Sequence, residues 1–454
     1  MAVLWEEGAF MTKQELKSLA CEIIDSHRDR IIELGDSIFA EPETGWKEFK
    51  TADKIKKVFL SLGLSTVDKQ CITGVIAQVK GKEKKLKVAV MGELDALLVP
   101  DSPNADPTTG AAHMCGHNCM IAALSGVAYA LGDHSISEQL SGDVALMAVP
   151  AEEFIEIPYR TQLKREGKIR MFGGKQEFIC RGLMDDIDMM VMQHTKPTEG
   201  AQETPIKADA GGTANGFINK EVFYIGRTAH AGLYPHEGIN ALNAAKIALV
   251  AIDAQRETFR DEDHVRVHPI ITKGGDSVNI VPSDVRIETY VRGASVEAIF
   301  DASAKVDRAF KAGGYAVGAK TIIKDTPGYL PMQPCDALQK VMYENILQLL
   351  GKEHVRYSEP HSGASTDSAD VAAIMPVVHS YFGGASGVAH SKDYRIVDKE
   401  LAYVTSAKAL AMTVIDLLAD GANTGLEIKR NFKPKMTKQE YLDIWINRCD
   451  RQES

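Results

Sequence analysis

Residues Ala112-His113-Met114-Cys115-Gly116-His117-Asn118 set a thiol and an imidazole two positions apart across a glycine, with a second imidazole just upstream. A Cys-Gly-His turn can aim S and N at one centre, and that donor pair suits zinc or another borderline transition metal. Alone, so short a pair is more often incidental than metal-binding. Three distant segments shift that balance. The apolar run Val144–Val149 leads into Pro150-Ala151-Glu152-Glu153. One carboxylate of such a pair can bind a cation while its neighbour acts as general base toward a water. A solvated Glu pair is the blander reading. The apolar run Met189–Gln193 ends in His194, and the glycine-rich stretch Gly383–Gly387 leads to His390. Each histidine by itself reads as structural. The repetition of a strand end followed by a ligand-type residue is the signal, because a rigid sheet positions the loops at its strand ends.

With these residues the chain resembles peptidase family M20, the dinuclear metal aminoacylases and carboxypeptidases, in its subfamily of amidohydrolases with a cysteine ligand. The Cys-Gly-His element of that family matches Cys115 and His117, its Pro-x-Glu-Glu element matches Pro150 to Glu153, and its two further histidines match His194 and His390. The resemblance runs from about residue 25 to about residue 420. It implies an α/β catalytic domain of the dinuclear metallopeptidase type with an inserted α+β lid or dimerisation domain. It implies two divalent ions, zinc, manganese, cobalt or nickel, held by Cys115, His117, Glu153, His194 and His390. Glu152 is the implied base, and Asp95 the acidic residue that orients the ligands. Glu93 stands where many relatives carry a ligand histidine, a departure shared by the cysteine subfamily, whose Cys-Gly-His element supplies ligands instead.

Gly226-Arg227-Thr228-Ala229-His230-Ala231-Gly232 is similar to the lid motif of the family. The resemblance implies that His230 polarises the scissile carbonyl, acting in the site of a partner subunit, and hence a homodimer through the lid. Asn279 and Arg292 match lid residues that hold a substrate carboxylate; a planar guanidinium suits that task. The alternative for Arg292 is a surface strand arginine paired with a Glu. His236 is off the motif and reads as surface. Ser365-Thr366-Asp367-Ser368-Ala369-Asp370-Val371 and Asn118 are similar to aminobenzoyl-glutamate hydrolase-like members, with Thr366 and Asp367 either lining the pocket or capping a helix. The implied reaction is hydrolysis of an N-acyl amino acid, an aminobenzoyl amino acid or a dipeptide. The rivals are a catalytically silent relative that binds a small amide or serves as a scaffold, and a single-metal esterase or deacetylase of another fold; the lid motif speaks against the latter.

These residues need elements to position them. Thr12-Lys13-Gln14-Glu15 has the pattern of a capping box and opens a helix to about Phe39. Helices are expected over 49–62 and 119–131, and strands over 75–79 and 86–91. Residues 154–186 interrupt the family pattern with Tyr159, Arg160, Lys164, Arg165, Arg170, Phe172 and Lys175. They read as a pocket wall, a subunit interface or a solvated surface insertion. Strands over 217–225 and 278–291, with helices over 241–259 and 295–312, make the α+β unit, assigned to residues 215–326. Residues 1–214 and 327–454 make the catalytic domain, with a second capping box at Thr437–Glu440 opening a tail that packs on that domain or on a partner.

A chain of 454 residues exceeds one ordinary core, and 44% hydrophobic with 25% charged residues is a globular composition. Lys+Arg 52 against Asp+Glu 62 speaks against a nucleic-acid partner, which needs a basic face. No uninterrupted apolar run nears the roughly 20 residues of a membrane span. The N-terminus, with Trp5, Glu6 and Glu7, lacks the basic-then-apolar order of a signal peptide. Seven irregularly spaced cysteines do not read as a disulfide framework. The expected location is the reducing cytoplasm, which would also protect a Cys115 thiolate.

Overall fold

A computed structural model describes residues 11–198, 205–447 and 449–453. The N-terminal stretch with Trp5, Glu6 and Glu7 lies outside the described residues. The chain divides into two compact units, the first comprising the described parts of Met1–Gly212, Pro334–Pro360 and Met375–Pro434.

At the heart of the first unit are four mutually parallel strands, in the order Asp143–Val149, Lys87–Glu93, Met189–Thr198 and Val377–Ser386. Buried on both faces, they read as near-continuous apolar runs. Antiparallel strands Gly74–Val79 and Ser65–Gln70 extend one edge. Because the four are parallel, their carboxyl ends emerge on one side of the sheet. Glu93 ends one strand, Glu152 and Glu153 follow the second, His194 lies in the third just past its last pairing with the Lys87–Glu93 strand, and His390 follows the fourth. Ligand sites of open α/β sheets lie outside such carboxyl ends.

The helix His117–Leu131 has all its residues buried, and its apolar circumference is what a central core helix requires. Glu400–Leu418 is long and apolar enough to cross a membrane by length and composition, yet 83% of its 18-residue apolar window is buried inside the fold. The N-terminal capping box forms, but the expected single helix is two, Lys13–Ser26 and Arg28–Phe39. The break is at His27 (φ −103°, ψ 7°), whose ring stacks on Tyr129 with centroids 4.1 Å apart. The ring is half-buried, and its Nδ1 lies 2.9 Å from the Ile23 carbonyl.

The second unit contains an antiparallel sheet in the order Arg266–Val267, Asp284–Gly293, Gly216–Ile225, Lys320–Pro327 and Arg451–Glu453. Helices Ala241–Gln255 and Val296–Val317 contribute to its core with Val222, Tyr224, Val285 and Ile287. The strand expected from 278 starts only at Asp284, after Pro282, which has no N–H to give a ladder.

The unit is wider than the expected 215–326. It comprises the described parts of Thr213–Gln333, His361–Ile374 and Lys435–Ser454. The tail, assigned from sequence to the catalytic domain, belongs here for identifiable reasons. Tyr441 donates its hydroxyl to Asp370 Oδ1 at 2.8 Å, and Trp445 donates Nε1–H to the Gly328 carbonyl at 3.2 Å. Arg451 reaches Asp325 at 2.7 Å and Asp307 at 2.5 Å, two carboxylates that also pair with the buried Lys220. Trp445 is fully buried. Trp445→Ala is expected to destabilise this unit by about 3–5 kcal/mol. Circular-dichroism melts check this; an unchanged melting profile would remove the tail from the core of the unit.

Candidate metal centre

Cys115 and His117 flank Gly116, whose φ of 101° favours glycine and where a Cβ would run into the Tyr394 hydroxyl and Thr195. Cys115 lies just ahead of the His117–Leu131 helix, where the helix dipole favours a thiolate. Around it the strand ends deliver their side chains. Cys115 Sγ is 3.4 Å from His194 Nε2, and His390 Nε2 is 3.4 Å from Glu153 Oε1. Cys115, His117 and His194 each offer a ligand atom within 4.8 Å of the others, and so do Cys115, Glu153 and His390. A third group is Glu93, His117 and Glu152.

These distances suit metal ligation. With bonds of about 2.1 Å, two ligand atoms on one ion stand roughly 3.0–3.4 Å apart for right-angled to tetrahedral arrangements. Buried polar atoms are nearly always hydrogen-bonded. Here Glu93 Oε2, His117 Nε2 and Glu153 Oε1 are buried with no hydrogen-bond partner among the described residues. Three unsatisfied donor-type atoms in one place fit a cation.

Electrostatics point the same way. Burial and the Glu153 carboxylate push the Cys115 thiol well above its ordinary range, so the thiolate needs a cation beside it. Burial and the neighbouring His117 lower His194 to about 4, which leaves its imidazole neutral, as a ligand must be. Its Nδ1 is 2.8 Å from the Thr195 carbonyl, which fixes the proton there and turns Nε2 inward. His117 is held likewise, with Nδ1 2.8 Å from the Asp95 carbonyl.

Asp95 is fully buried and accepts from the backbone N–H of Glu152 at 3.1 Å and of Glu153 at 2.9 Å. The turn it holds has Ala151 at φ 54°. Within residues 154–186, Arg165 and Arg170 are exposed, but Arg160 and Lys175 brace the same turn, so the solvated reading does not hold for those two. Arg160, fully buried, donates to the carbonyls of Glu153 and Phe172. Lys175, also fully buried, pairs with Glu93 at 2.5 Å. Charged residues in a long inter-strand segment look like surface in a sequence, so neither role was legible. The buried Glu48 was missed too; its carboxylate accepts from Ala151 N–H at 2.8 Å and from Thr73 Oγ at 2.7 Å.

His230, Asn279 and Arg292 belong to the second unit. The His230 segment runs beside Asn279, with Ala231 N–H donating to the Asn279 carbonyl at 2.9 Å. His230 Nδ1 accepts from the N–H groups of Gly232 and Leu233, both at 3.1 Å. The ring proton therefore sits on Nε2, which makes that nitrogen a donor. Arg292 donates to Ser365 Oγ at 2.6 Å and lies over the Phe217 and Tyr290 rings. Thr366 Oγ accepts from Ser368 N–H at the start of the Ser368–Ile374 helix, which is the capping alternative.

The geometry defines a candidate metal centre, and comparison with known proteins adds the class of reaction. The family model for Peptidase family M20/M25/M40 matches residues 89–415, and the chain belongs to that family. It is a hydrolase of amide or peptide bonds. The Xaa-Arg dipeptidase of Mus musculus is 28% identical over 453 residues, spanning 94% of each chain. A p-aminobenzoyl-glutamate hydrolase component from Escherichia coli is 26% identical over 347 residues, 73% of this chain and 65% of that protein. A dinuclear metal-binding M20 peptidase of Bacillus subtilis shares the fold, with a TM-score of 0.64 at 20% identity over 87% of this chain and 99% of that one.

Glu48 gives this site a pH signature. Burial, with the Asp95 charge beside it, pushes its carboxyl up to about 8. A folded pKa above the unfolded one means that the stability Glu48 contributes is full below about 4.3 and is lost as pH rises through about 8. In the metal-free protein, the melting temperature of Glu48→Gln relative to wild type should therefore climb between pH 5 and pH 9. A difference that stays constant over that range would contradict the assignment.

Proposed function

We propose that the protein is a two-metal amidohydrolase that frees an amino acid from a dipeptide or an N-acyl amino acid. The observation that carries this reading is that Cys115 belongs to two donor groups at once, one with His117 and His194 and one with Glu153 and His390. A thiolate common to both would bridge or cap a metal pair. Zinc suits the thiolate, and manganese, cobalt and nickel are the other candidates.

When bound, the ions supply Lewis acidity to the scissile carbonyl and acidity to a water. Glu152 takes the proton of that water and later delivers it to the departing amine. Asp95 keeps Glu152 and Glu153 pointing in their separate directions by holding both backbone N–H groups. His230, with its proton on Nε2, donates to the oxyanion. Arg292 and Asn279 take the substrate carboxylate, and Ser365 with two aromatic rings keeps the guanidinium in place. The dipeptide takes precedence as substrate because the dipeptidase relative spans 94% of both chains.

The assembly proposed is a homodimer through the second unit, in which His230 serves the partner's site. Its exposed Ile247, Val250, Ile270 and Ile271 offer apolar area for such a contact. The location proposed is the cytoplasm, whose reducing conditions would protect a Cys115 thiolate.

The test is release of free amino acid from dipeptides with basic and neutral C-terminal residues, N-acetyl amino acids and aminobenzoyl-glutamate, with the protein loaded in turn with zinc, manganese and cobalt. Wild type should release the amino acid. Glu152→Ala should retain its metal and lose about 10²- to 10⁴-fold in kcat. Turnover that survives the substitution would remove Glu152 as the base.

A further inference from the structure

We propose that Glu93 is a further metal ligand, an oxygen donor to the ion that His117 holds, and that Lys175 is the residue that positions it. This rests on the two-metal reading above and adds to its ligand set a residue that the resemblance leaves out.

Glu93 is the last residue of its strand and stands in register with Val149 on the neighbouring parallel strand. It therefore reaches the same edge of the sheet as the Glu152-Glu153 turn. Its side chain is 1% exposed, and its two oxygens do different things. Oε1 takes the Lys175 ammonium at 2.5 Å. Oε2 has no hydrogen-bond partner among the described residues and lies 3.0 Å from His117 Nε2, itself buried and without one.

The His117 ring decides what that contact means. Its Nδ1 is engaged by the Asp95 carbonyl, so Nε2 is the nitrogen left for a metal. A ligating imidazole presents a lone pair at Nε2. Two lone pairs facing each other at 3.0 Å repel unless a cation lies between them. With an ion present, 3.0 Å is the separation of two ligands at about a right angle, given bonds of about 2.1 Å. Glu152 Oε2, 4.0 Å from His117 Nε2, borders the same space.

Lys175 explains how the carboxylate stays aimed. Its ammonium is fully buried, which costs several kcal/mol unless a partner offsets the desolvation. It is delivered by the helix Gly174–Cys180, whose first residue packs so closely on the Pro150 carbonyl that a Cβ could not fit. The lysine is thus placed by the turn that carries Glu152 and Glu153. An apolar pair of the same volume would serve folding as well. A charged pair leaves Oε2 as an anionic donor facing His117.

The test measures metal binding. Wild type, Glu93→Gln and the double variant Glu93→Gln/Lys175→Met are stripped with chelator and titrated with zinc. Bound metal is counted by mass spectrometry and affinity is taken from competition with a chromophoric chelator; cobalt-loaded samples give visible spectra. The double variant carries no lone buried charge, so its fold is not burdened by an unpaired lysine. Wild type should bind two ions per chain. Both variants should keep one at wild-type affinity and hold the other roughly tenfold or more weakly, with altered cobalt bands. If the double variant binds both ions as tightly as wild type with unchanged cobalt bands, the pair is structural and the assignment fails. If wild type itself binds fewer than two ions, the two-metal reading fails, and the ligand assignment with it.

Discussion

Asp95 lies fully buried where the Lys87–Glu93 strand, the Glu152-Glu153 turn and the His117–Leu131 helix meet, and its groups hold all three. Its carboxylate takes the N–H of both glutamates, and its carbonyl takes Nδ1 of His117. One residue thereby sets the direction of the proposed base, of one carboxylate ligand and of one imidazole. A buried carboxylate is tolerated only when its lone pairs are used, so a change in any of these directions leaves Asp95 unsatisfied. Parallel pairing of the central strands makes this possible, since it brings chain segments far apart in sequence to one edge.

Around that carboxylate the turn after Val149 is gripped from both sides. Glu48 accepts the N–H of Ala151, and Arg160 donates to carbonyls at and beyond the glutamates. Trp46 Nε1–H adds a bond to the Phe172 carbonyl at 3.2 Å. Ala151 itself is held at positive φ, a conformation that persists in a non-glycine residue when its surroundings over-determine it. The ligand-type atoms are thus pre-positioned by hydrogen bonds that do not depend on the ion. Such preorganisation is what a hydrolytic metal site requires, since a loose carboxylate would lose both its metal and its water.

Much of this was legible because strand-end chemistry leaves a local trace. Cys115, His117, Glu152, Glu153, His194 and His390 each follow or end an apolar run or a glycine turn, and the structure gathers them. The capping boxes at Thr12 and Thr437 formed for the same reason: their chemistry is complete within four residues. What stayed hidden is non-local. The boundary of the second unit depends on Tyr441 meeting Asp370 and Arg451 meeting Asp325, contacts with no sequence periodicity. Lys175 and Arg160 carry charges that their sequence context assigns to solvent, and only the tertiary structure shows them buried against Glu93 and the Glu152-Glu153 turn. The break at His27 coincides with a ring contact to Tyr129, far along the chain.

The proposed function requires two ions in one cluster around Cys115. The most direct measurement is an anomalous difference map from crystals of the zinc-loaded protein, recorded on both sides of the zinc edge. Two peaks per chain are expected, about 3.5–4 Å apart, beside Cys115, with His117 and His194 on one side and Glu153 and His390 on the other. A single peak, or peaks away from Cys115, would contradict it.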